Sequence, residues 1–170
     1  MPSLHTLTAL LACNVLPLAY AAQSAKKVQK LPAMGYDTYN AFAGDYDADL
    51  CVAQAQVMKK SGLVAAGYTQ FILDDFYIER QRNATGHMVA DPTKFPNGIP
   101  ALSKSMNKLG IKLAAYGDRG YATCGGYPGS YGYEYQDLET WYSWGMTYLK
   151  LDNCSKYLCL HKCLLLDKGN

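Results

Sequence analysis

From residue 31 onward, short apolar runs alternate with longer stretches in which apolar residues recur every three or four positions. Residues 32–36, 69–73, 111–116 and 146–151 have strand character, and their centres lie about 36 to 42 residues apart. That spacing leaves room for a helix and a generous loop between each pair, so the pattern predicts a (βα)₃β order. In the first connection Asp47-Ala48-Asp49 leads into Leu50, Ala53 and Val57, predicted to be the buried face, with acidic residues where the helix dipole favours them. In the second, Pro100 fits the first turn, Leu102, Met106 and Leu109 line the predicted inner face, and Gly110 ends the helix. Glu134 opens the third, with Leu138 and Trp141 predicted to point inward and Gly145 as terminator.

Parallel strands joined by crossover helices close as an open doubly wound sheet or as a (β/α)₈ barrel. A nucleotide-binding open sheet wants a glycine-rich phosphate loop after its first strand, and Gly35-Tyr36-Asp37-Thr38-Tyr39-Asn40 is not one. The polar residues favour the barrel, whose active sites lie at the C-terminal ends of the strands. Here the second strand ends in Asp74-Asp75, the third in Tyr116-Gly117-Asp118 and the fourth in Lys150-Leu151-Asp152. Period-two alternation puts Tyr148, Lys150 and Asp152 on one face of the fourth strand, a costly row on a buried strand unless it serves chemistry.

The residues before this pattern change the picture. No Lys, Arg, Asp or Glu occurs in residues 1–25, and an apolar run from Leu7 to Leu18 is too short to cross a bilayer. Ala19-Tyr20-Ala21-Ala22 follows as an A-x-A-like site, so residues 1–22 read as a secretory signal peptide, residues 23–30 as a short N-terminal segment, and the protein as secreted and extracellular, with no membrane span after cleavage. Cleavage leaves Cys51, Cys124, Cys154, Cys159 and Cys163, an odd number in an oxidising compartment. Asn83-Ala84-Thr85 is the better glycan acceptor of two, because the other, Asn153-Cys154-Ser155, has a cysteine in its middle.

Composition excludes more than it suggests. The 170 residues carry 16 Lys+Arg against 14 Asp+Glu, a net charge of +2 without the basic cluster that a phosphate backbone requires, so nucleic acid is not an expected partner. No imidazole pair has ligand spacing with the strand-end acids, and Cys159-x-His161-x-Cys163 lacks the frame of a zinc site, so neither metal nor cofactor is expected. Several carboxylates around a barrel mouth, with tyrosines beside them, suit glycoside hydrolysis: one attacks the anomeric carbon, another protonates the leaving oxygen, and others bind hydroxyls.

Five ordered motifs then carry a resemblance. Leu31-Pro32-Ala33-Met34-Gly35-Tyr36-Asp37-Thr38-Tyr39-Asn40, Leu73-Asp74-Asp75, Asp91-Pro92-Thr93-Lys94-Phe95-Pro96-Asn97-Gly98-Ile99, Thr123-Cys124-Gly125-Gly126-Tyr127-Pro128-Gly129-Ser130 and Tyr148-Leu149-Lys150-Leu151-Asp152-Asn153-Cys154 together resemble the N-terminal half of the melibiase-type α-galactosidases, glycoside hydrolase family 27. The resemblance covers residues 31–154. It implies an α/β fold, the first four strands and three helices of a (β/α)₈ TIM barrel. It also implies a retaining hydrolase acting on terminal α-D-galactosyl residues of oligosaccharides. Carried over by position, it makes Asp152 the nucleophile and Asp74 and Asp75 the galactose grip. Lys150 becomes a further hydroxyl ligand that keeps Asp152 ionised, and Tyr116 a pocket residue. Tyr36 stands where the family more often has a Trp that walls the sugar, and Cys124 pairs with Cys154.

Departures from the family are part of the reading. A second family disulfide would join the regions that here read Phe42-Ala43-Gly44-Asp45 and Asp75-Phe76-Tyr77, and both cysteines are absent. Residues 155–170 no longer resemble the family, so an acid/base carboxylate and half a barrel are missing from the expectation. The chain is predicted to be a truncated, inactive piece. Sibling specificities, α-N-acetylgalactosaminidase or β-L-arabinopyranosidase, and a non-catalytic galactose-binding role remain as alternatives.

Overall fold

The computed structural model describes residues 32–154; the signal-like segment, residues 23–30 and the tail 155–170 lie outside the described residues. The strands are β1 (Gly35–Asp37), β2 (Gln70–Leu73), β3 (Lys112–Asp118) and β4 (Leu149–Asp152). The helices are α1 (Tyr39–Phe42), α2 (Ala48–Lys60), α3 (Gly98–Lys108) and α4 (Glu134–Ser143). All pairings are parallel and the order is β1-β2-β3-β4. A doubly wound sheet reverses its strand order at a switch point, whereas a barrel adds each strand beside the last, so this order is that of half a (β/α)₈ barrel.

The core lies between the sheet and its helices. Phe71 and Leu73 of β2 and Leu113 and Ala115 of β3 are buried against Ile99, Leu102 and Met106 of α3, with Met58 of α2 and Trp141 of α4 in the same cluster. Gly117 lets Trp141 lie directly on β3, since a Cβ there would stand 2.8 Å from the indole ring. Gly145, with φ at +78°, turns the chain out of α4 as its sequence position predicts.

Three expectations need correction. A one-turn helix, α1, follows β1, because Thr38 O accepts from Phe42 N–H and Asp37 Oδ1 from Tyr39 N–H, a local turn that no apolar stripe announces. The buried face of α2 is Cys51, Ala55 and Met58, not Leu50, Ala53 and Val57; Val57 is 56% exposed. Both stripes satisfy helical spacing, and packing beside α3 selected the one that spacing alone could not rank. In α4 Trp141 is buried as expected but Leu138 is half exposed, because the inward position is taken by Asp137.

Asp137 is fully buried and forms a bidentate pair with Arg82, at 2.5 and 2.8 Å. Arg82 also donates to Gly86 O and Gly129 O, so one guanidinium ties the long β2–α3 connection to the β3–α4 loop and to α4. A second cation closes the region where Phe42-Ala43-Gly44-Asp45 meets Asp75-Phe76-Tyr77. Lys94 Nζ donates to Gly44 O at 2.6 Å and to Phe76 O at 2.8 Å. The Phe76 ring fills the space over Gly44, where a Cβ would lie 2.9 Å from Phe76 Cγ, and Phe76 itself has φ at +77°.

Candidate active site

Register sets the strand-end side chains in a row. Tyr116 pairs with Lys150 and Asp118 with Asp152, while Asp37 pairs with Ile72, two residues before Asp74. Alternation along each strand therefore places Asp37, Asp74, Tyr116, Lys150 and Asp152 on one face. Lys150 Nζ donates to Asp37 Oδ2 at 2.9 Å and to Asp74 Oδ2 at 2.5 Å, and sits 5.5 Å from the centroid of the Tyr116 ring. Tyr116 OH in turn donates to Asp152 Oδ2 at 3.2 Å, and Asn153 N–H to Asp152 Oδ1 at 2.8 Å.

Two carboxylates share one ammonium, and the electrostatics follow. Burial raises the Asp74 carboxyl above the usual Asp range, the charge of Asp37 adds to that, and Lys150 and the Asp75 backbone only partly offset it. Burial works against the Lys150 ammonium, but its hydrogen bonds to Asp74 and Asp37 outweigh that and raise it above the ordinary lysine value. The Tyr116 hydroxyl is pushed up by burial first and then by the Asp75 and Asp152 charges, so it remains a donor.

Not every sequence-predicted residue joins this row. Asp75 is buried and turned to the β3–α4 loop: Oδ1 accepts from Thr123 Oγ1 at 2.9 Å and Oδ2 from Gly125 N–H at 2.7 Å. Tyr36 is paired in register with Phe71, their ring centroids 5.2 Å apart, and packs on the core one residue out of phase with Asp37. Asp37 is the residue that sequence reasoning passed over, although its place at the end of β1, matching Asp74 after β2, was a usable signal.

Behind Asp152, Cys124 and Cys154 form a disulfide, with Cα atoms 5.1 Å apart, that joins the β3–α4 loop to the end of β4. The Cys124 sulfur lies 3.4 Å from Asp152 Oδ2. Asp118, Cys124, Asp152 and Cys154 thus bring four ligand-type atoms within 4.8 Å of one another. Two of the four are the disulfide and carry no thiolate, which argues against a metal site. Asn83, the glycan acceptor, is exposed, and its Oδ1 accepts from Thr85 N–H, Thr85 Oγ1 and His87 N–H. An open groove of about 310 Å³ between α4 and β4 is lined by Ala115, Leu138, Trp141, Tyr142 and Leu149; Ala115 and Leu149 are one residue out of phase with Tyr116 and Lys150, so it opens on the other face of the sheet from these side chains.

A sequential parallel β/α sheet with carboxylates, a lysine and a tyrosine converging at its C-terminal ends defines a glycosidase-like half-barrel. Residues 32–163 match the family described as alpha galactosidase A (Melibiase_2), and the chain belongs to that family. A probable alpha-galactosidase A of Aspergillus clavatus is 42% identical over 139 residues, covering 82% of this chain and 26% of the relative. Alpha-galactosidase A of Cellvibrio japonicus is 40% identical, covering 79% of this chain and 33% of the relative. The structure of alpha-galactosidase I from Mortierella vinacea superposes with a TM-score of 0.71 at 41% identity, over 72% of this chain and 31% of that one. The Saccharomyces cerevisiae alpha-galactosidase structure with raffinose gives 0.70 at 36% identity, over 72% and 27%. The chain therefore spans about a quarter to a third of the length of these relatives.

Proposed function

We propose that this chain carries the nucleophile and sugar-gripping side of a retaining α-galactosidase. The observation that carries the reading is the placement of Asp152 beside Tyr116 on the face where Lys150 joins Asp37 and Asp74. Asp152, its two oxygens oriented by Asn153 N–H and Tyr116 OH, attacks the anomeric carbon and forms a glycosyl ester as the glycosidic C–O bond breaks and the leaving oxygen departs with that electron pair, to be protonated by the acid/base group. Lys150 and Asp74 bind ring hydroxyls, a donor and an acceptor 2.5 Å apart that a galactose hydroxyl can bridge. Asp75 supports the same pocket by holding the loop at Thr123 and Gly125.

Retaining chemistry also needs an acid/base carboxylate about 5 to 5.5 Å from the nucleophile. Asp118 lies within 4.8 Å of Asp152 but is fully buried, and both of its oxygens accept backbone N–H groups. We therefore assign that role to none of the described residues. The leader-like residues 1–22, the Cys124–Cys154 bridge and the Asn83 acceptor support a secreted glycoprotein. Expression through a secretory pathway should add a glycan-sized mass that is lost in Asn83→Gln.

An α-galactosyl fluoride tests the catalytic reading, because fluoride leaves without protonation. The full chain should gain one galactosyl unit on the peptide containing Asp152, detected by mass spectrometry, and Asp152→Asn should gain none. Absence of adduct while galactose still perturbs the Lys150 and Asp74 resonances would leave a binding role and remove the nucleophile.

A further inference from the structure

We propose that Asp118 is a positioning residue that sets the direction of the Asp152 carboxylate; the inference rests on the reading of Asp152 given above. Asp118 ends β3 opposite Asp152 in the register, with no solvent exposure. Its Oδ2 accepts from Cys154 N–H at 2.6 Å and its Oδ1 from Gly120 N–H at 2.7 Å. Arg119 N–H, next in sequence, donates to Asp152 O at 3.1 Å. The backbone is therefore held at Asp152 by Arg119, just past β3, and two residues later by Asp118, the last residue of β3.

That double grip fixes the turn that aims Asn153 N–H at Asp152 Oδ1. The Cys124–Cys154 bridge fastens the same residue from the other side of the loop. Three ties converge on Asp152 and Cys154, the two residues that flank Asn153. A buried carboxylate within 4.8 Å of another is electrostatically unfavourable for the second unless it does something else for it. The ties point to what that is: Asp118 exchanges like-charge repulsion for a backbone arrangement that presents Asn153 N–H to Asp152 Oδ1.

The two roles give different results, which makes the proposal testable. Asp118→Asn removes the charge and also turns one acceptor into an amide donor facing an N–H. As a neighbouring charge alone, Asp118 can be neutralised without loosening the hydrogen bond from Asn153 N–H to Asp152 Oδ1. As a positioning residue its loss frees that donor, and the Asn153 amide should exchange about threefold faster or more while the amides of β3 keep their rates. The measurement is amide exchange of the full chain by NMR, with the bond to Asp152 identified through Asp152→Asn. The resonances of Tyr116 and Lys150 report whether the site is otherwise intact.

An unchanged Asn153 exchange rate in a folded Asp118→Asn chain overturns the proposal. Should that variant fail to fold, amide exchange in the unaltered chain decides instead. The Cys154 amide should exchange as slowly as those of β3, and exchange at the rate of a solvent-exposed amide overturns it. Neither readout needs turnover or sugar. A chain that takes no galactosyl label but shows both signatures has lost the catalytic reading and kept this one.

Discussion

Lys150 is the residue on which the site's charges balance. Its ammonium neutralises one of the two carboxylates it touches, and it is more than a third exposed, so solvent screens part of the interaction. Lys150→Met leaves Asp37 and Asp74 facing each other unpaired. The expected cost is about 1 kcal/mol at pH 7 after allowance for screening. Asp74 already has its pKa raised in the folded chain, so its neutral form is favoured by folding, and the substitution raises it further. The penalty should therefore shrink as pH falls into the carboxyl range and Asp74 takes up its proton. The lysine's own contribution has the opposite profile: its raised pKa means that the stability it lends is complete below the ordinary lysine pKa and is lost as pH rises through the folded value. Urea denaturation of both chains at neutral and acid pH checks this, and a penalty independent of pH would contradict it. Cys51 stands apart from these groups: burial pushes its thiol up to about 12, which keeps it an unreactive core residue.

Among the elements, α4 depends on a charge more than on its apolar stripe. Arg82→Ala strips the partner from Asp137, which has no solvent exposure, and should cost about 3–5 kcal/mol, read as a shift in the denaturation midpoint. Arg82→Met combined with Asp137→Leu should cost much less, since no buried charge is then left alone. The pair also explains which parts of the fold were legible in the sequence. Strand positions, their parallel order and the ends of α3 and α4 follow from local pattern, and Leu102 and Met106 are buried as their spacing predicts. The faces of α2 and α4 do not follow, because Cys51 and Met58 compete with Leu50 and Val57 for the same spacing, and because Asp137 is inward only through an arginine 55 positions away. The same limit hid part of the site. Asp74, Tyr116, Lys150 and Asp152 could be placed from strand ends, but the Lys150–Asp37 contact spans 113 positions and the diversion of Asp75 to Thr123 spans 48. The Lys94 pin between Gly44 O and Phe76 O was equally invisible, although the paired absence of two cysteines marked the place.

At the scale of the whole described region, the sheet has two open edges, β1 and β4, and the groove beside α4 exposes Leu138 and Tyr142, which are 52% and 83% accessible. Unpaired strand edges next to an apolar groove favour association between copies. The full chain should show a mass that rises with concentration in light scattering, and Leu138→Lys with Tyr142→Lys should reduce that rise; a strictly concentration-independent monomer would contradict it. The strand order has a consequence in time as well as in space. Each strand pairs with the one made just before it, so every βα unit can dock as it leaves the ribosome without waiting for a distant partner. The candidate active site is the exception, because Lys150 and Asp152 belong to β4 while Asp37 belongs to β1. A nascent chain therefore pairs β1, β2 and β3 before this cluster can form, and until β4 arrives the carboxylates of Asp37 and Asp74 lack the Lys150 ammonium between them.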